Sequence, residues 1–389
     1  MVDNKKNNIV IIGTGLAGYM LAKEFRKLDT QTPLTFITKL DGYFYSKPLL
    51  STALTHQKTP DELWMNNVET MRMQLNAEIY THCEVFKIDS DNKKIFFHNE
   101  KNNKKELSYD KLILANGADH ISIPLSGDAV SEIVSVNHLE DYRILREKIK
   151  NKKRIAIFGS GLVGCEFAND LTNAGFSVTM ISPDNYLLKK FVPEIIARAL
   201  QTALEKLGVK FYLSLFPKII NKKNLHDEII LSDNQKIETD LILSATGIKP
   251  NLLLAKSADV KTNIGIITNQ YLQTSNENIF AIGDCAELNG EMKMYVAPII
   301  HNARILAEIL AGKTPLIENK IMPIVIKTPA CPIVTVPPAK NITGEWKTDV
   351  DDVNCRALFY DKENHLRGFA LSGNCVKEKM ILVNRVHKL

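Results

Sequence analysis

A chain of 389 residues with 45% hydrophobic, 24% charged and 7% aromatic residues is too long for one small domain and too ordinary in composition for a disordered or fibrous protein. Its net charge of +5 comes without an aromatic-interleaved basic patch, which argues against a nucleic-acid binder while allowing electrostatic steering of an acidic partner. The 6 cysteines are scattered without a Cys-x-x-Cys pair and the 9 histidines show no ligand spacing, so neither a disulfide scaffold nor a metal site is expected.

The opening Met1–Asn8 is polar, and the few apolar residues before Gly13 are too few for a secretory signal. No apolar run reaches membrane-spanning length, so the expected location is the cytoplasm. The apolar run Ile9–Ile12 then leads into Gly13-Thr14-Gly15-Leu16-Ala17-Gly18 and a helical segment from Tyr19 to Leu28. This is the strand–turn–helix pattern of a dinucleotide site. Gly13 makes the tight turn, Gly15 lets backbone approach a pyrophosphate, and Gly18 lets helix and strand pack closely. The helix N-terminus adds unpaired N–H groups and partial positive charge. Leu34–Thr38 reads as the second strand, with Lys39 and Asp41 at its end as candidate contacts to the adenosine end. Asp41 equally suits a turn before Gly42.

Pro48 forces Lys47 out of helical geometry. A lysine there either lies beside a redox ring or is an exposed loop residue. Residues Asp61 to Leu75 read as a helix, Ala77 to Ile88 as a strand pair with Val85 central, and Asp91 to Leu107 as a polar, solvated hairpin. A strand from Tyr109 ends on the small-residue turn Ala115-Asn116-Gly117, and Ile133 to Lys150 reads as a linker strand plus a charged helix. Arg154–Phe158 then opens a second glycine cradle, Gly159-Ser160-Gly161-Leu162-Val163-Gly164. One such motif is weak evidence. Two fit a chain that holds two dinucleotides, one of them a flavin.

The second strand of this unit, Phe176–Ile181, ends in Ser182-Pro183-Asp184. An acid at this point favours NADH over NADPH, and Asp184 supplies one two residues late. Glu194 to Leu207 reads as a helix ended by Gly208, followed by a β-rich stretch from Val209 to Ile237. A second small-residue turn, Ala245-Thr246-Gly247, follows, then a strand that feeds Gly283-Asp284. Tyr295-Val296-Ala297-Pro298 to Leu310 reads as a helix. From Ile321 onward a strand-rich pattern ends in a helix from Val376 to Lys388, as in a small α+β domain.

Taken together, the chain resembles the two-dinucleotide flavoprotein reductases of the pyridine nucleotide-disulphide oxidoreductase type, essentially end to end. The residues that carry this are Gly13–Tyr19, Tyr45-Ser46-Lys47-Pro48, Gly161–Leu171, Ala281–Glu287, Met294–Pro298 and Lys327-Thr328-Pro329-Ala330-Cys331-Pro332. The last of these is similar to the branch that serves rubredoxin. The resemblance implies an α/β fold with two Rossmann-like domains, for FAD and NAD, and a small α+β C-terminal domain. It divides the chain into 1–117 with 247–324 for FAD, 118–246 for NAD, and 325–389. It places Gly13, Thr14, Gly15, Leu16, Ala17, Gly18, Lys39, Asp41, Lys47, Val85, Glu166, Asp284, Val296 and Lys327 around FAD. It places Gly159, Gly161, Leu162, Val163, Gly164, Asp184 and Gly247 around NADH. Lys47 and Glu166 would form a flavin-flanking ion pair. Asn116 and Lys39-Leu40 depart from the pattern.

The implied activity is NADH:rubredoxin oxidoreduction, with single electrons passed to rubredoxin, an acidic carrier, for alkane hydroxylation or oxygen detoxification. Three alternatives stay open: reduction of flavorubredoxin or ferredoxin, a non-turnover NADH-sensing flavoprotein, and a nucleotide-free structural protein. Absences narrow the choice further. Tyr43 to Ser51 contains no cysteine pair, so a dithiol relay is not expected. Cys165 reads as core, Cys331 as a structural thiol rather than a catalytic one, and His301 as a helix-surface or packing residue.

Overall fold

The computed structural model describes residues 8–315 and 320–387. The chain divides into two compact units. One lies within Met1–Ser46, Trp64–Asp119 and Ile248–Asn319; the other within Lys47–Leu63, His120–Gly247 and Lys320–Leu389.

The first unit is built on a parallel sheet in the order Ile279–Ala281, Lys111–Leu114, Ile9–Ile12, Leu34–Ile37, Glu78–Tyr80. Ile9–Ile12 is central and buried throughout, which is why its sequence runs apolar without alternation. The period of two still sorts its side chains. Ile9 and Ile11 join Phe36 and Ile113 under the helices Leu16–Arg26 and Val296–Leu310, through Leu21, Phe25, Ala303 and Leu306. Val10 and Ile12 join Leu112 and Leu114 on the other face. That face is covered by an antiparallel meander, Glu84–Asp89, Lys94–His98 and Lys104–Ser108, through Val85, Ile88, Ile95 and Phe97.

Two sequence expectations change here. The helix expected over Asp61 to Leu75 is three pieces: a turn Pro60–Glu62, a strand Trp64–Asn66 that pairs with Phe44–Tyr45, and a helix Val68–Leu75. Asn67 restarts the helix by accepting the Thr70 N–H at 2.9 Å. The strand pair expected over Ala77 to Ile88 is two strands in different sheets. Glu78–Tyr80 completes the parallel sheet, and Glu84–Asp89 opens the meander after His82, at φ 50°.

The second unit repeats this build. Its parallel sheet runs Val134–Ser135, Leu241–Ser244, Arg154–Phe158, Ser177–Ser182, Lys210–Leu213. A meander of Pro217–Lys222, Asp227–Leu231 and Lys236–Thr239 packs Ile220, Ile229 and Leu231 against Ala156 and Phe158. The same unit contains an antiparallel sheet, ordered Ile324–Ile326, Ile333–Val336, Leu366–Ser372, Asn354–Asp361, Gly344–Asp351. Helix Glu194–Lys206 packs on its strands Asn354–Asp361 and Leu366–Ser372. Val334, Val336, Phe369 and Leu371 meet Leu382 and Val386 of the terminal segment. The expected closing helix is shorter than its apolar pattern: Gly373–Glu378 forms a 3₁₀ turn, and the α-helix spans Lys379–Arg385. Lys388 lies outside the described residues. No helix among the described residues is long and apolar enough to cross a membrane.

Asp240 fastens the base of strand Arg154–Phe158. It accepts the backbone N–H groups of Lys153 and Arg154 at 3.0 and 2.9 Å and the Arg154 guanidinium at 2.7 Å. Burial raises the Asp240 carboxyl, but the Arg154 side chain and these backbone donors outweigh it and hold the group at about 2, against an ordinary 3.8. A depressed carboxyl contributes stability that is complete above its unfolded pKa and is lost as pH falls through the folded one. Urea unfolding of the wild type should therefore weaken below about pH 4, and Asp240→Asn should flatten that dependence. At pH 7 the variant should lose on the order of 1–2 kcal/mol; an unchanged midpoint and slope would show that the contact is not stabilising.

Candidate functional site

Each unit carries a glycine cradle at the tip of its central strand. In the first, Gly13 sits at φ +111° and Gly18 lies inside the helix against it. A Cβ on Gly18 would fall on the Gly13 carbonyl oxygen, and one on Gly13 would fall on the Ala115 carbonyl. Gly15 differs: a Cβ there meets nothing within 4 Å. Its face is open beside the N-terminus of helix Leu16–Arg26, where no side chain caps the first turn and no acid sits. That combination fits a phosphate group. The second cradle repeats it. Gly159 (φ +103°) and Gly164 are closed by backbone, whereas Gly161 opens on space at the uncapped start of helix Leu162–Asn173.

Around the first cradle, Thr14, Ala17 and Gly18 are buried and Leu16 is half-buried. Gly283, at φ +84°, lies against Ala17, which brings the turn of Asp284 to the first turn of the helix. Val85 packs in the cluster that holds Ile12, Leu114 and Cys285, so its place is in the core. Val296 opens a helix that packs along Leu16–Arg26. Asp41 forms a local turn and accepts the Tyr43 N–H at 3.3 Å, while Lys39 is exposed. Asn116 donates to the Asn251 carbonyl at 2.9 Å, so the departure from the family pattern still bonds across to the return strand. Thr246, in the second turn, donates to the Ile121 carbonyl at 2.8 Å.

At the second cradle, Val163 is exposed and Leu162 half-buried, and Gly247 is an exposed left-handed residue at φ +113°. Ser182 ends the strand turned inward, its Oγ 2.8 Å from Ser160 Oγ. It also accepts the Asp184 N–H at 3.2 Å, and Asp184 itself is half-buried. The Ser160–Ser182 contact was not legible in the sequence, because it joins two residues that look like ordinary turn serines.

The second unit also encloses a charged cluster. Glu166 is 8% exposed. One carboxylate oxygen accepts the Ser51 hydroxyl at 2.5 Å and the other accepts the Lys327 N–H at 2.9 Å. The Lys327 ammonium reaches the Pro48 carbonyl at 3.5 Å. Burial pushes the Glu166 carboxyl up against these contacts, and burial pulls the Lys327 ammonium down against the pull of Glu166. Lys47 opens the short turn Lys47–Leu49 that leads to Ser51. The structure thus joins two expected residues, Glu166 and Lys327, and adds Ser51, which no sequence pattern marks.

Burial raises the thiols of five of the cysteines. Cys285 donates to the Leu114 carbonyl at 3.3 Å, and burial pushes its thiol up to about 12. Burial lifts Cys331 to about 11 and also raises Cys83, Cys165 and Cys375. All 6 are free.

Comparison with known proteins agrees with this geometry. The pattern of the pyridine nucleotide-disulphide oxidoreductase family matches residues 7–304, and that of a rubredoxin binding C-terminal domain matches residues 317–386. The chain is 44% identical over 375 residues to a rubredoxin-NAD(+) reductase of Alcanivorax borkumensis, covering 96% of this chain and 97% of that one. It is 32% identical to a nitric oxide reductase FlRd-NAD(+) reductase of Aliivibrio fischeri, covering 97% and 98%. Among solved structures it is similar to an NADH:rubredoxin oxidoreductase from Clostridium acetobutylicum, with a TM-score of 0.81 at 22% identity, covering 98% and 95%.

The glycines separate binding from folding. Gly18→Ala forces helix from strand and should cost about 1–3 kcal/mol, read as a lowered melting temperature. Gly15→Ala has room for its methyl and an ordinary extended backbone, so the stripped protein should melt like wild type. Its retained visible absorbance should nonetheless fall severalfold after gel filtration. Full absorbance in Gly15→Ala would show that the cradle holds no nucleotide.

Proposed function

The chain belongs to the pyridine nucleotide-disulphide oxidoreductase family, and on that premise we propose that it is an FAD-dependent NADH:rubredoxin oxidoreductase. The observation that carries the reading is one chain with two glycine cradles followed by a C-terminal sheet in the segment matched as rubredoxin-binding. FAD supplies what nicotinamide lacks, since it takes up electrons in a pair and releases them singly.

The protein's own residues bind and orient. Gly13 to Gly18 cradle the FAD pyrophosphate, Asp284 serves its ribityl side, and Lys39 and Asp41 its adenosine end. Gly159 to Gly164, with Asp184 and Gly247, take NADH. Lys47 and Glu166, with Lys327, are assigned to charge compensation. No protein nucleophile is required, in keeping with the raised thiols. Cytoplasmic operation suits a chain with 6 free thiols. The electrons would feed an oxygenase such as an alkane hydroxylase, or oxygen detoxification.

The carrier-facing charges are assigned to the terminal helix. Met380 and Ile381 are 62% and 64% exposed there, and Arg385 of the same helix and Lys377 of the turn before it are exposed too. Lys379 adds to the same charge.

The test mixes the holoprotein with NADH under anaerobic conditions, then adds rubredoxin or ferredoxin and follows each carrier's absorbance. Rubredoxin should bleach faster, and added salt should slow it. Lys377→Glu with Arg385→Glu should raise the rubredoxin KM severalfold and leave NADH-driven ferricyanide reduction unchanged. Flavin reduction without bleaching of either carrier would overturn the reading, and the 32% relative makes flavorubredoxin the next acceptor to try.

A further inference from the structure

Within helix Leu162–Asn173 every residue from Gly164 to Leu171 is buried, and five of these eight are the expected Gly, Cys, Phe, Ala and Leu. Three are not. Glu166, Asn169 and Asp170 fall at helical spacing on one side, and all are buried. A buried polar residue without a partner costs roughly 1–3 kcal/mol, so each must answer for itself.

The partners of all three are backbone or side-chain groups of two remote segments in the same unit. Asp170, 2% exposed, accepts the consecutive N–H groups of Leu54 and Thr55 at 3.0 and 2.6 Å. Asn169, fully buried, accepts the Ala330 N–H at 3.0 Å. Glu166 accepts Ser51 and the Lys327 N–H, as described. One turn of helix therefore grips residues 51–55 with one hand and 327–330 with the other. The first of these segments is fastened again further on. Arg146 donates to the Lys58 carbonyl at 2.7 Å, and Arg143 pairs with Asp61 at 3.0 Å. His56 to Thr59, a stretch that includes the Lys58 attachment, are exposed.

We propose that Asn169 and Asp170 are positioning residues for the reaction: they hold the backbones of 51–55 and 327–330 on the nucleotide-binding helix and so keep Ser51, Lys327 and Glu166 joined. This rests on the proposed NADH-driven flavin reduction but not on the identity of the final carrier. Glu166 makes its two hydrogen bonds only while both segments stay in place, and it cannot hold them alone. Its bond to the first segment is to a rotatable hydroxyl, whereas Asp170 fixes two backbone donors in one carboxylate.

Asp170→Ala, Asp170→Asn and Asn169→Ala test this, with Asn173→Ala as control, since Asn173 makes only an exposed 3.5 Å contact to Thr55. Trypsin cleavage after Lys58 should accelerate in both Asp170 variants, more in Asp170→Ala. Anaerobic flavin reduction by saturating NADH should slow by roughly tenfold or more in Asp170→Ala, as expected for misplaced reacting groups. NADH affinity should stay within about twofold, because the cradle is untouched. Asn169→Ala should move the same way by less, and Asn173→Ala should change nothing.

Faster cleavage with an unchanged reduction rate would reduce the clamp to a structural role and overturn the proposal. So would a rate loss matched by an equal loss of NADH affinity. Should Asp170→Ala fail to fold, Asp170→Asn, which keeps shape and one acceptor oxygen, carries the same comparison. If the wild type reduced no rubredoxin while Asp170→Ala still slowed flavin reduction, the clamp would stand and only the carrier assignment would fall.

Discussion

Both units depend on one steric constraint: a helix must leave a strand so closely that backbone touches backbone. Gly18 rests on the Gly13 carbonyl and Gly164 on the Gly159 carbonyl, with no room for a single Cβ. That contact fixes where each helix begins and aims its uncapped N–H groups at the opening beside Gly15 or Gly161. The surrounding sheets then serve to hold it. Ile9–Ile12 and Arg154–Phe158 are each central strands, paired on both sides, so neither cradle can shift without moving a core.

The second unit adds an electrostatic constraint. Helix Leu162–Asn173 brings Glu166 and Asp170 into the interior one turn apart, and the charge of Asp170 adds to the burial that raises the Glu166 carboxyl. Two enclosed carboxylates are tolerable only when donors converge on them. Most of those donors are backbone N–H groups, of Leu54, Thr55 and Lys327. Backbone donors cannot rotate away, so the arrangement gains order as well as charge compensation. Lys327 gives Glu166 a backbone N–H, and burial lowers its ammonium's hold on the proton against the pull of Glu166. The cluster is therefore electrostatically soft, and its integrity rests on the hydrogen-bond geometry around it.

How legible this was depended on whether the signal was local. Glycine cradles are local: Gly-x-Gly-x-x-Gly after an apolar run encodes strand, turn and helix in one window, and both were readable. The α/β class and the strand-rich C-terminal segment followed from the same kind of pattern. The boundaries failed where a cap outvoted periodicity, as at Asn67, or where a left-handed residue such as His82 redirected a strand. Glu166 and Lys327 could be named from resemblance, but Ser51, Asn169 and Asp170 could not. Their partners lie more than a hundred residues away, and nothing in a linear sequence marks that closeness. A signal did exist in part: three polar residues at helical spacing inside an apolar helix are seldom there for solvent.

The thiols bear on the choice of acceptor. A reductase that passes electrons through protein sulfur needs a pair of cysteines with an accessible thiolate. Here Cys165 and Cys285 are fully enclosed, and every cysteine with a displaced pKa is displaced upward. A thiol held at about 11 or 12 is almost wholly protonated at neutral pH and is a poor nucleophile. Within the family framework that can support disulfide chemistry, Cys285 and Cys331 are enclosed here with their thiols raised. An acceptor that takes electrons one at a time from the cofactor itself needs no reactive thiol. The proposed reading then asks the chain for two cradles, a charge-compensating cluster held in register, and a surface on which a carrier can dock.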